Sequence, residues 1–362
     1  MLALLKSHLL LSIVLCIHSA VLAIAGPPGK SCVLRPPGPG HDDTDQVEAA
    51  IARCGQFGTM TFEPGNFNIT RKMTWNLVSS KVDLKGFLNF PPDIQFWLNA
   101  ANTYRVVFIQ SQASWFVVTG SDFVIDAHNT GGIQGNGQPW WSYFATRTRE
   151  DGDGRPIYLT VVNATTLLFS PVILLWMVLI QSNKISLLNW DVTCGDDCLA
   201  IKGNSSNLSI RNITCRGGTG IAFGSLGQYV GLLFRLDPSI QPLMENGVYF
   251  KSWDGSVNGA PPTGGGGAGG LVKNVVIRNV QLDRVDNAVH LYQTNLGLSN
   301  WVGTADTNTI VNFQCSPAVG CGTITFSDLH VSPPLEQVSQ FICANTTTVI
   351  GLPAPCNAAG EA

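Results

Sequence analysis

One pattern returns along this chain. Asn183-Lys184-Ile185-Ser186-Leu187-Leu188-Asn189 is echoed by Asn207-Leu208-Ser209-Ile210-Arg211-Asn212-Ile213. It returns again as Asn274-Val275-Val276-Ile277-Arg278-Asn279-Val280 and Thr323-Ile324-Thr325-Phe326-Ser327-Asp328-Leu329. Each copy is a short alternating strand that meets an Asn or Asp and then another apolar residue. Asn and Asp tolerate the left-handed backbone that a sharp corner needs. The first two copies lie a little over twenty residues apart, the length of one coil of a right-handed parallel β-helix. A fixed period of that size marks a solenoid, whose coils bury their apolar faces against one another. A β-sandwich would need tight two-residue hairpin turns, and few such signals occur.

Composition narrows the class. Only 12% of the 362 residues are charged, while Gly numbers 38. That balance fits a β-rich secreted protein better than a helical cytosolic one. A net charge of -3 without a basic stripe argues against a nucleic-acid partner. A polyanionic substrate stays open, because it needs only a few local cations. Lys6, the apolar stretch Leu9 to Val21 and the small residues near Ala23 and Ala25 read as a signal peptide over 1–25. Residues 26–362 then form a single domain, a monomer with no membrane attachment after cleavage. Leu167 to Ile180 is too short to span a bilayer and reads as buried strand. Pro261 to Gly270 reads as a flexible loop beside the cleft, since no phosphate-binding context follows it.

The cysteines agree with secretion. Cys16 lies in the leader, and nine others remain, an odd number. Cys32 with Cys54, Cys198 with Cys215, Cys315 with Cys321 and Cys343 with Cys356 are plausible pairs, which leaves Cys194 over. Spacing alone does not fix connectivity. Sequons at Asn68, Asn163, Asn204, Asn207, Asn212 and Asn345 suit a glycoprotein.

The chemistry concentrates at Cys194-Gly195-Asp196-Asp197-Cys198. Gly-Asp alone is a common turn former. Paired carboxylates are also the working parts of glycoside hydrolysis, where one is held protonated for the leaving oxygen and another ionised for water. About twenty residues later comes Gly218-Thr219-Gly220, followed by Gly224-Ser225-Leu226-Gly227-Gln228-Tyr229. Earlier stands Gly131-Gly132-Ile133-Gln134-Gly135-Asn136-Gly137-Gln138, with Trp140-Trp141 behind it. From about Cys32 to Cys356 the chain therefore resembles the polygalacturonase family of pectin-degrading glycoside hydrolases, most closely its fungal exo-acting branch.

The resemblance implies a pectin-lyase-like right-handed β-helix and inverting hydrolysis of α-1,4-galacturonosyl bonds. It implies Asp196 as general acid and Asp197 as a base, with no cofactor and no metal. Inversion needs a gap of roughly 6.5–9.5 Å between acid and base to admit the water. Neighbouring strand residues point to opposite faces, so a backbone bend at Gly195 is expected to bring both to the cleft. Lys251 is the expected holder of the substrate carboxylate. Thr219, Gln228, Tyr249 and Tyr292 are the further substrate-binding candidates, and Lys202 is expected on the same face. Trp140-Trp141 reads as a buried pair capping a helix end, with a sugar platform as the alternative.

Three departures qualify the substrate. The family's Asn-Thr-Asp motif, which supplies a third aspartate, is absent, as though one coil before Cys194 were missing. Asp191 is the nearest substitute, although a structural role suits its place beside Trp190. Thr219 stands where the family has His and cannot carry charge. Tyr249 replaces an Arg of the family's Arg-Ile-Lys. Rhamnogalacturonan or xylogalacturonan hydrolysis, or a pectin-binding β-helix without activity, are the alternatives. His41, His128, His290 and His330 lack metal-ligand spacing and read as ordinary polar residues.

Overall fold

The computed structural model describes residues 29–107, 112–147, 155–170, 172–174, 177–226, 232–233, 244–252, 272–273, 275–291, 296–315 and 321–357. The leader, the Gly-rich run 261–270, Gln228 and Tyr292 lie outside the described residues.

The strands stack in parallel, coil on coil. Leu159–Ser170 pairs with Met177–Ile180, which pairs with Asp197–Ile201. Gly220–Leu226 and Met244–Ser252 continue that face toward the C-terminus. A second set of parallel strands runs through Asn183–Thr193 and Ser206–Arg216, and later through Leu296–Ala305 and Cys321–Ser332. Parallel neighbours require crossovers, and such crossovers are right-handed. The result is a right-handed parallel β-helix. The described exception is an antiparallel hairpin, Tyr104–Val107 with Gln112–Ser114.

Inward residues stack on their counterparts in the next coil. Phe223 lies on Phe250 with centroids 4.4 Å apart and planes 6° from parallel. Both are fully buried, which is worth about 1.5–3 kcal/mol per side chain. At the corners the repeated polar residue does what its type allows. Asn189, Asn212, Asn279 and Asp328 have φ of 57°, 52°, 57° and 61°. The Asn212 amide donates to Asn189 Oδ1 at 2.8 Å, and Asn300 donates to Asn279 at 2.9 Å. These corners set the register. Ile185 pairs with Leu208, one residue away from a direct overlay of the Asn183 and Asn207 copies.

Two expectations change. Leu167 to Ile180 is not one strand: it spans the end of Leu159–Ser170, then Val172–Leu174 and Met177–Ile180, because a coil must turn within that length. Trp140 and Trp141 sit inside the helix Gly137–Phe144 and part company. Trp140 is buried, while Trp141 is 45% exposed, since adjacent helical residues face different ways.

The helix Thr44–Cys54 packs Val47, Ala50 and Cys54 against the first strands, where the Cys32–Cys54 disulfide ties it down. The other three bridges are Cys198–Cys215, Cys315–Cys321 and Cys343–Cys356. Cys194 is the free cysteine among the described residues.

Candidate active site

Strand parity alone would turn Asp197 inward. Leu199 and Ile201 face the core, so the residue two before Leu199 should join them. Asp197 pairs with Gly220, however, while Leu199 pairs with Ile221. Cys198 is thus an extra residue, a β-bulge. Bulges re-aim side chains in this way. The bulge gives Asp197 the outward parity of Ala200 and Lys202. The expected bend is present as well, at Gly195 and Asp196, with a φ at Gly195 that is not positive. Gly195 matters for another reason: a Cβ there would lie 1.8 Å from Trp141 Cζ2.

Asp197 is nearly sealed, with its side chain 5% exposed. Lys251 Nζ donates to its two oxygens at 2.9 and 2.8 Å, and the Thr219 hydroxyl donates to Oδ1. Lys251 comes from Met244–Ser252, two coils further on, where Val248 and Phe250 face inward and Tyr249 and Lys251 outward.

Asp196 is more open, with its side chain 28% exposed. Its Oδ1 accepts from the Asp197 amide at 2.7 Å. Its backbone carbonyl accepts from Thr219 N at 3.0 Å and from the Cys194 thiol at 3.2 Å. The turn that does this passes through Gly217 and Gly218, at φ 71° and 72°. A Cβ on Gly218 would meet the Asp196 carbonyl at 2.0 Å, so only glycine fits. Burial pushes the Cys194 thiol up to about 12, and Asp196 and Asp197 add to that.

Arg155 was not foreseen. Its guanidinium contacts Asp196 Oδ2 at 3.5 Å and lies 5.0 Å from the centre of the Trp141 ring. Arg155, Trp141, Tyr158 and Asp196 line one small cavity. Nothing local in the sequence marks Arg155, which stands 41 residues before its carboxylate partner.

Lys202 is buried at the end of the strand Asp197–Ile201. Burial brings its ammonium down to about 8; Lys251 pushes the same way, and the two aspartates oppose. Tyr249 stacks on His290 at 4.9 Å and lies 5.1 Å from Lys251 Nζ. Burial also lowers the His290 pKa.

The structure therefore brings Asp196, Asp197, Thr219, Tyr249 and Lys251 to one outward face. It does not bring Asp191. That residue lies on Asn183–Thr193, in register with Thr214, and pairs with Arg216 on a different face of the coil. The described residues of the coil before Asp196, Val172–Leu174 and Met177–Ile180, hold no carboxylate. A separate cluster joins Asp83, Asp126 and His128, where His128 Nε2 is 3.0 Å from Asp83 Oδ1. Lys81 Nζ shares that oxygen at 2.8 Å, so hydrogen bonds and ion pairs account for the cluster without an ion.

A match to glycosyl hydrolases family 28 covers residues 177–352. The Aspergillus niger protein named galacturan 1,4-alpha-galacturonidase A is 30% identical to this chain, across 91% of it and 93% of the relative. The chain belongs to glycosyl hydrolases family 28. Its relatives also include an exopolygalacturonase of Cochliobolus carbonum, 27% identical over 89% of this chain and 85% of its own. The endo-xylogalacturonan hydrolase from Aspergillus tubingensis has the same fold, with a TM-score of 0.67 at 20% identity over 91% of this chain and 100% of its own. Membership makes the chain a glycoside hydrolase of the pectin-degrading type. The alignment to the Aspergillus niger relative runs over 416 residues, more than the 362 of this chain. The relative thus carries internal segments that this family 28 member lacks.

Proposed function

We propose that this family 28 member releases galacturonic acid from the ends of α-1,4-linked galacturonan chains, with inversion. Asp196 serves as general acid and Asp197 as general base. The observation that carries the assignment is the unequal setting of the two carboxylates. Asp197 is clamped by Lys251 and Thr219 and buried. Among the described residues its Oδ2 takes a single contact, from Lys251, which leaves a lone pair for the attacking water. Asp196 is the carboxylate that a leaving oxygen can reach from solvent.

Charge supports a uronate substrate. Among the described residues, Arg155, Lys202 and Lys251 outnumber Asp196 and Asp197 at the site. One excess cation favours an anionic sugar in a partly dry cleft. With no third aspartate beside the pair among the described residues, Asp197 alone draws the proton from water. Lys251 serves Asp197 first and the substrate second, and Tyr249 offers a ring face to sugar. Four disulfides support a secreted protein, because such bonds persist in oxidising compartments. The signal peptide over 1–25, the single domain over 26–362 and the monomeric state belong to the same proposal.

Thr219 favours one second reading, hydrolysis of a substituted backbone such as xylogalacturonan, since the residue beside the base cannot charge. Both readings are tested by incubating the protein and its Asp196→Asn variant with polygalacturonate and with xylogalacturonan, then sizing the products. Monomer from polygalacturonate with the parent alone supports the first reading. Product from xylogalacturonan alone supports the second. Equal product from parent and variant removes Asp196 from the mechanism.

A further inference from the structure

Acting as an acid beside a guanidinium is a contradiction that the site must resolve. A cation at 3.5 Å favours the ionised form of Asp196, yet a general acid works in its protonated form. The geometry offers a resolution. Leu159 pairs with Met177 and Met177 with Leu199, so the chain that carries Arg155 enters two coils before the Asp196–Asp197 coil. Lys251 lies two coils after it. The chain segments that carry the two cations thus reach the carboxylate pair from opposite directions along the helix axis. Lys251 is already committed to both oxygens of Asp197. The Arg155 guanidinium rests against Trp141 and faces the cavity beside Asp196.

We infer that Arg155 binds the carboxylate of the galacturonosyl unit on the side of the bond away from Lys251, and that this binding frees Asp196 to take up a proton. A guanidinium fork suits a carboxylate, and stacking on an indole holds it in place. When the sugar carboxylate neutralises Arg155, the field that favours the ionised form of Asp196 weakens. The proton comes from solvent, to which Asp196 is open, and later passes to the leaving oxygen. A neutral sugar at this position would leave Arg155 on Asp196 and the acid unarmed. Arg155 is therefore a specificity-determining residue that couples recognition of the uronate to readiness of the acid. The inference rests on Asp196 being the acid.

The other described groups around Asp196 do not supply this coupling. Cys194, pushed up to about 12, stays neutral across the working range. Asp197 is paired with Lys251. Lys202, at about 8, keeps its charge below pH 7. A profile read below pH 7 therefore isolates Arg155.

The test uses pH profiles of kcat and kcat/KM on trigalacturonate, for the parent, Arg155→Lys and Arg155→Met, with calorimetric binding of trigalacturonate beside them. In the parent, the alkaline limb of kcat should lie about one pH unit above that of kcat/KM, because kcat reports the substrate-bound enzyme. Arg155→Met should merge the two limbs at the higher value and weaken binding about tenfold or more. Arg155→Lys should restore the separation in part. Coincident limbs in the parent would overturn the coupling. Unchanged affinity in Arg155→Met would overturn the carboxylate contact. A parent that binds but does not turn over would sink the hydrolase reading, and the affinity loss in Arg155→Met would still decide the contact. A folded parent that does not bind would overturn the inference outright.

Discussion

Two corners of one coil, a few residues apart, are built on opposite rules. At Asn189 the chain turns through left-handed backbone, and the side chain accepts from the same residue type in the next coil. At Asp196 and Asp197 nothing repeats. A bulge shifts the register, a glycine makes room for an indole, and cations come in from two coils before and two coils after. The first corner is satisfied by its neighbours and serves stability. The second collects like charges beside each other and depends on distant residues to hold them, which stability alone would not favour. The lesson is that in a solenoid the sites of chemistry are found where the ladder breaks.

The contrast breaks most sharply at Asp196. Asp196→Asn should cut turnover by about a thousandfold, within the range for loss of a general acid, and leave the melting temperature unchanged. Steady-state rates and a thermal melt check both halves. Lys251→Met comes next, because it leaves Asp197 buried without its cation. Urea titration should show a loss of about 2–3 kcal/mol, less than for a fully buried pair because Lys251 is a quarter exposed. Gly195→Ala should cost about 1–3 kcal/mol by forcing Trp141 aside, and Gly195→Ala with Trp141→Ala should recover most of that stability.

The repeating corner gives the complement. Asn189→Ala puts a residue that tolerates left-handed backbone less well at φ 57° and removes an acceptor. It should cost about 1–2 kcal/mol in urea titration while kcat stays at the parental value. The smallest effect is expected at Cys194. With its thiol pushed up to about 12, on the order of one part in ten thousand is thiolate at pH 8. Iodoacetamide should leave it unlabelled until the protein is unfolded in guanidinium.

The sequence disclosed these two corners unequally, for physical reasons. Asn189, Asn212, Asn279 and Asp328 were legible because period-two alternation and left-handed tolerance are properties of residue type. The four plausible disulfide pairs are the ones formed, each closing a short loop within a coil or between neighbours, although spacing alone did not fix them. Asp196 and Asp197 stood out as an adjacent acidic pair. The bulge at Cys198 did not, because it is an event of register that no single residue announces. Arg155 stayed hidden because it reaches Asp196 from another coil, and position in the stack, not distance along the chain, makes them neighbours. The missing third aspartate was legible as an absence, and the coil before Asp196 shows no described carboxylate in its place.

If Asp196 and Asp197 work as acid and base with a water between them, the first sugar released has a defined hand. Proton NMR of trigalacturonate during the first minutes of turnover reads it directly. The account predicts the β anomer of galacturonic acid first, followed by slow mutarotation, and no product from Asp196→Asn. The α anomer appearing first, or turnover that survives Asp196→Asn, would contradict it.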